Sequence, residues 1–325
     1  MSIELAAYVA ALFVTFAYAL TGNRARWFGG GVVVAVVAYL VAARLSPLDA
    51  DMITYEQALQ RPVGAMLLNP YYLREWAYWI VSGLVYQLTE STRLTFLLFD
   101  LLALYAVARA RNHLQLPHYF VGLMFILFSS VLGVQNIYRQ FLASCLLLLA
   151  IVQPGKRRWL TFAIAGFIQN AAFLFLPLMF AYQSPSRPGV REWLFAGAAI
   201  AVLIGLPFAA GTKSTAATGA DLRAAYLAVL LGTLYMITVI KRGVLKYDLA
   251  LPLGFTVALF GVSVAVLGAS QAERVGMMSI FLLTPFLCEI VGRQRELSPV
   301  TRAALVVLLA APALLFPSAR IFLTS

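Results

Sequence analysis

The chain has 325 residues, of which 62% are hydrophobic and only 11% charged, and its formal net charge is +11. A soluble domain of this length needs far more polar surface to cover its core, and the mean hydropathy of +0.87 excludes that class. On so apolar a chain the basic excess belongs to loops on the cytoplasmic side of a membrane, so nucleic acid is not an expected partner.

Apolar runs long enough to cross a hydrocarbon layer of ~30 Å recur from one end to the other. They are solidly apolar rather than alternating, which argues against barrel strands. The expected architecture is therefore all-α: a polytopic transmembrane helical bundle of about ten to twelve segments, forming one integral membrane domain over residues 1–325. Taken in order, the clearest spans are about 3–20, 28–45, 93–110, 118–134, 137–153, 191–210, 222–240, 248–268, 275–292 and 299–318. The first lacks a basic leader and a small-residue cleavage site, so it reads as a retained helix. Cys145 and Cys288 both lie inside apolar runs, which speaks against a disulfide framework or a metal site.

The dense basic groups are Arg24/Arg26, Arg109/Arg111, Lys156/Arg157/Arg158, Arg187/Arg191, Lys241/Arg242/Lys246 and Arg293/Arg295. Placing all of them in the cytoplasm puts loops 46–92, 134–138, 211–221 and 269–274 outside. Two segments then resist assignment as simple crossings. Segment 75–88 begins and ends outside, so it is expected to lie in the outer interface or to dip in and return. Segment 158–182 begins and ends inside, and Gln169-Asn170 interrupts it. It reads as a re-entrant hairpin or a broken helix, with an ordinary crossing as the alternative.

In a chain this apolar, polar residues at membrane depth or at the outer mouth carry the information. In residues 134–150, Arg139 and Gln140 open a helix just after Gln135, Asn136 and Tyr138. An arginine at a helix start opposes the helix dipole, and its planar fork suits a phosphate or pyrophosphate. The bland alternative is an arginine reaching for lipid headgroups. Glu273 and Arg274 stand at a second outer helix start, where a local ion pair is the alternative. The long outer loop holds Asp49, Asp51, Tyr55, Glu56, Arg61, Arg74 and Glu75, with five aromatics in 71–79 including Trp76. Rings for stacking and carboxylates for acid/base work are what a sugar site uses; an aromatic interface belt is the alternative. Asp100 lies mid-span, where a carboxylate is either functional or bonded to a neighbouring helix. No dinucleotide or phosphate-loop motif, zinc-protease motif or metal-spaced cluster occurs in the sequence.

The order of these residues carries a resemblance. D-x-x-x-Y (Asp51 to Tyr55) is followed by EWAYWIVSGL (Glu75 to Leu84) and NIYRQ-x-LA (Asn136 to Ala143). Next come GFIQNAAFLFLP (Gly166 to Pro177) and ERVGMMSIFLLTP (Glu273 to Pro285). This pattern resembles the EpsG-like branch of Wzy-type bacterial polysaccharide polymerases over about residues 50 to 290. The RQ-led helix start is its most specific part. Gln169 stands where that family carries a histidine, and the aromatic after the C-terminal arginine is not in place.

The resemblance implies a fold similar to GT-C glycosyltransferases, with a long first outer loop carrying interfacial helices and a site at the outer face of the bacterial inner membrane. It implies polymerisation of undecaprenyl-pyrophosphate-linked oligosaccharide repeat units for O-antigen, capsule or exopolysaccharide. Membrane lipids and a flippase and chain-length regulator of the same pathway are the implied partners, and no cofactor or metal is required. On that reading Arg139, Arg274, Gln140 and Tyr138 meet the pyrophosphate. Asp51, Glu75 and Glu273 are the catalytic carboxylates, and Tyr55, Arg74, Trp76, Gln169 and Asn170 bind sugar. A flippase or transporter of lipid-linked oligosaccharides is the main rival; it should show paired repeats with matched midplane polar residues, which the sequence does not display.

Overall fold

The computed structural model describes residues 2–21, 28–48, 50–181, 188–209, 250–267, 269–293, 298–315 and 317–324. The expected span at 222–240, loop 211–221, Asp49 and the basic groups Arg24/Arg26, Arg187, Lys241/Arg242/Lys246 and Arg295 lie outside them. The described residues are all-α, with no strand among them.

Two helices, α1 (Ile3–Thr21) and α2 (Phe28–Leu45), open the chain. Residues 50–89 then fold into four pieces: α3 (Ala50–Leu59), α4 (Val63–Leu67), α5 (Pro70–Arg74) and α6 (Trp76–Thr89). Asn69 caps α5, its side chain accepting from the Tyr71 N–H at 2.9 Å with Pro70 in the first turn, the usual start signal. Helix α7 (Thr92–Leu114) starts on Ser91, whose hydroxyl accepts from the Leu94 N–H at 3.3 Å. It stops at Gln115, which takes a left-handed φ of 55°.

The centre is built by α8 (Tyr119–Ile126), α9 (Phe128–Gln135) and α10 (Tyr138–Val152). The expected single span at 118–134 is divided at Leu127, where ψ turns to 135°. Every residue of α8 and α9 is buried; α8 is apolar all round, and in α9 the buried Ser130 and Gln135 donate to the Met124 carbonyl and to Glu4. Gly122 lets α8 approach α1 and α2 closely: a Cβ there would stand 2.1 Å from Thr15 Oγ1 and 2.9 Å from Val32.

Segment 157–181 settles as a hairpin. Helix α11 (Arg157–Ile168) ends where Gln169 becomes extended, and a 3-10 stretch (Asn170–Phe175) and α12 (Leu176–Ala181) run back along it. Arg158 donates to the Met179 carbonyl, Trp159 packs on Phe180 at 5.4 Å, and Phe162 meets Phe173 at 5.8 Å. These antiparallel pairings return the chain to the level at which it started. Gly166 permits the return, since a Cβ there would stand 2.3 Å from the Phe173 ring. Helices α13 (Pro188–Ala209), α14 (Ala250–Val266), α15 (Ala269–Arg293), α16 (Ser298–Leu315) and α17 (Pro317–Thr324) complete the described chain.

Among the described residues, two helical stretches, Ile3–Thr21 and Ala272–Val291, are long and apolar enough to cross a membrane; the other apolar helices are shorter. Large apolar side chains nevertheless face outward on many peripheral helices, among them Phe13, Val34, Leu88, Leu160, Trp193, Ile204 and Leu308.

Polar contacts set the direction of the helices against one another. Tyr8 donates to the Ala310 carbonyl at 3.1 Å, and Arg302 to the Ala19 carbonyl at 2.8 Å, so α1 and α16 run antiparallel. The Arg302 end also holds Tyr18, whose ring meets His118 at 6.0 Å, and His118 lies within electrostatic reach of Arg111. The opposite end receives the start of α1 and α10 and the ends of α2 and α9, and it carries the candidate site.

Candidate active site at the start of helix α10

Three consecutive residues open α10, and successive helical residues point about 100° apart. Tyr138, Arg139 and Gln140 therefore reach three different neighbours. Arg139 forms an ion pair with Glu75, at the junction of α5 and α6. Its Nε lies 3.5 Å from the Tyr55 hydroxyl of α3. Its guanidinium also sits over two rings, 4.9 Å from the Trp79 centroid and 5.5 Å from that of Tyr55. The position is costly against the helix dipole, and the carboxylate and the two ring faces offset that cost. Gln140, buried at 2% exposure, donates to the backbone carbonyl of Arg274 at the start of α15.

The aromatics of α3, α5 and α6 pack as a layer around this arginine. Tyr55 meets Trp79 at 5.6 Å and Tyr78 at 5.9 Å, both edge-on. Tyr72 lies 5.1 Å from Trp79, and Tyr71 lies 5.9 Å from it. Tyr71 is 55% exposed while Trp79 is 1% exposed, so the layer runs from the surface down to the arginine. Edge-to-face rings at these spacings hold each other in place.

The hairpin tip closes the cluster from the other side. Glu75 Oε1 accepts from the backbone N–H of Asn170 at 3.3 Å. The Asn170 side chain, with its NH2 turned inward, donates to the Gly166 and Arg74 carbonyls at 3.1 Å each. Asp51, half-buried in the first turn of α3, and Arg139 both lie within electrostatic reach of Arg274. Glu273 is buried beside Arg274 in the first turns of α15.

Asp51, Tyr55, Glu75, Arg139, Gln140, Asn170 and Arg274 thus assemble from five separate stretches of sequence. Several expected roles need correction. The Tyr138 hydroxyl is turned away from the cluster and into the core, so it is not a donor to a ligand there. Glu75 is engaged at both oxygens, which makes it the counter-ion of Arg139 rather than a free base. The Asn170 side chain latches the hairpin tip to Gly166 and Arg74 while the residue stays exposed, and the Gln169 residue is buried. Arg74 has an exposed side chain and enters the cluster only through its carbonyl. Trp76 stacks on Phe167 at 5.6 Å, on the rim.

Two guanidinium groups, a carboxylate counter-ion and an aromatic layer at one end of a helical bundle suit a phosphorylated glycan ligand. The family model of the EpsG family matches residues 30–320. This chain belongs to the EpsG family. No curated protein matches it, and no solved structure does. Membership in the EpsG family gives the chain the coarse character of a membrane-associated polysaccharide polymerase of the glycosyltransferase type.

The EpsG match spans all five stretches that meet at Arg139. Two features of the site were not singled out from sequence. Trp79 was one aromatic among five, and only folding selects it as the ring beneath the arginine. Arg44, at the end of α2, looks like an ordinary helix-end basic residue. In the structure it is 2% exposed and paired with Asp100. An arginine and an aspartate each placed within apolar runs are a signal for such a pair, because neither is stable there alone.

Proposed function

We propose that this chain joins undecaprenyl-pyrophosphate-linked oligosaccharide repeat units at the outer face of the bacterial inner membrane, as a polytopic membrane glycosyltransferase. The observation that carries the reading is the Arg139 cluster: two guanidinium groups tied through Gln140 and set in an aromatic layer. Its position supports the sidedness, because Arg111, His118 and Arg302 gather at the other end of the bundle, as cytoplasmic basic residues do. The outward-facing apolar side chains suit lipid contact. Helices shorter than a full crossing suit a bundle whose central members are shielded by protein rather than lipid.

In the reaction, an acceptor hydroxyl attacks the anomeric carbon of the growing glycan. The bond from that carbon to the pyrophosphate oxygen breaks, the lipid pyrophosphate departs with the electron pair, and a carboxylate takes the hydroxyl proton. Arg139 and Arg274 stabilise the charge that develops on the leaving pyrophosphate. Glu75 holds the Arg139 fork ready. Asp51 is assigned as the base, and Glu273, beside Arg274 in sequence, as the next candidate carboxylate. Tyr71 offers its exposed ring to sugar, and the buried Tyr55 backs the layer behind it.

Surface glycan from a deletion strain tests this. Complemented with wild type, the strain should make long polymer; with the empty vector, single repeat units only. Arg139→Ala and Arg274→Ala should each cut elongation about 100-fold at matched membrane levels, as loss of one preorganised donor does. Loss of all surface glycan in the deletion strain, single units included, would favour the flippase. Unchanged glycan would reject both.

A further inference from the structure

Directly behind Arg139 lies a polar group that the proposed reaction does not use. Arg44 of α2 and Asp100 of α7 form a two-point ion pair, Nε to Oδ2 at 2.6 Å and Nη2 to Oδ1 at 2.9 Å. Arg44 also donates through Nη1 to the Val134 carbonyl of α9 at 3.2 Å. Its guanidinium lies 4.7 Å from the Tyr138 ring and 5.5 Å from that of Phe96. The Tyr138 hydroxyl is 3.0 Å from Asp100 Oδ1 and 2.8 Å from the Phe96 carbonyl, and donates between them.

Such a pair is not needed for stability alone. A buried ion pair is often replaced by apolar residues of similar volume without loss. What it supplies here is direction. Tyr138 is the residue before Arg139, so fixing its hydroxyl fixes the rotation of the first turn of α10. That rotation determines whether the next side chain meets Glu75, Tyr55 and Trp79. The same pair grips the end of α9 through Val134, just before the chain turns into α10. A second buried contact acts on the same corner: Gln135 donates to both Glu4 oxygens at 2.8 Å and to the Ala43 carbonyl at 3.3 Å.

We infer that Arg44, Asp100 and Tyr138 are positioning residues for Arg139, and that their function is to aim its guanidinium at the pyrophosphate of the lipid-linked substrate. This inference rests on the proposed function of the Arg139 cluster. None of the three touches substrate; each acts by fixing the start of α10.

The test is a double-mutant cycle read by binding. Wild type, Tyr138→Phe, Arg139→Lys and the double variant are purified into lipid nanodiscs and titrated with undecaprenyl pyrophosphate. Thermal unfolding is followed in parallel. Tyr138→Phe removes one hydroxyl, and it should weaken binding about tenfold in the wild-type background, about 1.4 kcal/mol. It should cause no further loss once Arg139 is lysine, because the group it aims is gone. The pair Arg44→Met with Asp100→Leu, chosen to keep the bundle packed, should lose binding to the same extent as Tyr138→Phe. The inference is overturned if Tyr138→Phe binds like wild type, or if its loss multiplies with that of Arg139→Lys. It is also overturned if the apolar pair binds normally. Failure of wild type itself to bind the probe would remove the pyrophosphate reading first, and the inference with it. That outcome shows in the unmutated protein, whereas failure of the inference alone shows only in the cycle.

Discussion

Single residues set the electrostatics of the site. Arg139 carries a carboxylate on one side and two ring faces on the other, an arrangement that suits guanidinium and not a compact ammonium. Trp79 is the closer ring, so Trp79→Ala should reduce polymer synthesis by roughly 10- to 30-fold, the equivalent of a desolvated cation–π contact of up to about 2 kcal/mol. Trp79→Phe should recover part of it. Chain elongation by the purified protein in lipid, measured as product length against time, checks both. Glu75→Gln leaves Arg139 without its counter-charge, and it should cost at least as much activity as Trp79→Ala in the same assay. The residue types were legible in the sequence, since arginine, carboxylates and aromatics stand out in an apolar chain. Their assignments were not. Tyr138 and Arg139 are adjacent, yet one faces the core and the other the site, because neighbouring helix residues diverge by about 100°.

At the scale of elements, the hairpin of α11, the 3-10 stretch and α12 joins the basic end of the bundle to the site. Both its ends lie at one level, while its tip reaches Glu75. Asn170→Ala removes two hydrogen bonds that hold the tip to α11 and α5. At about 1 kcal/mol each, their loss should lower activity severalfold and make the 166–175 segment a site of protease cleavage in detergent, followed by mass spectrometry. Gly122→Ala acts elsewhere. It forces a methyl into the contact between α8, Thr15 and Val32, and overpacking of that kind costs about 1–3 kcal/mol. The expected result is a lower unfolding temperature with unchanged specific activity of the folded fraction. The sequence marked 75–88 and 158–182 as unlike simple spans, through charge placement and the Gln169-Asn170 break. It left open whether the second was a hairpin, because a polar break says that a helix stops and not where the chain goes next. The division of 118–134 at Leu127 had no local signal: neither proline nor glycine stands there.

For the whole molecule, the separation of charge between the two ends makes a topological prediction. Arg61 and Lys156 are both exposed, the first between α3 and α4 and the second before α11. Single cysteines placed there, Arg61→Cys and Lys156→Cys, should label oppositely with an impermeant maleimide. Arg61→Cys should react in intact spheroplasts and Lys156→Cys only after permeabilisation. Cys145 and Cys288 are buried and should give little background. Labelling of Lys156→Cys from outside would invert the proposed orientation and move the Arg139 cluster to the cytoplasmic face.

The sequence by itself determined what depends on composition and local pattern. Apolar runs with the helical residues to match made the chain all-α, the arginines and carboxylates at helix starts named most of the candidate site, and the ordered motifs pointed to the EpsG family. Only the tertiary structure decided which of those residues meet. Arg139 finds Glu75, Tyr55 and Trp79 because α3, the α5–α6 junction and the hairpin tip converge on the first turn of α10, and Arg44 finds Asp100 because α2 crosses α7. Such contacts depend on how helices far apart in the chain rotate and cross, which local sequence does not encode, and a charge in an apolar core is held only where a partner from another helix reaches it.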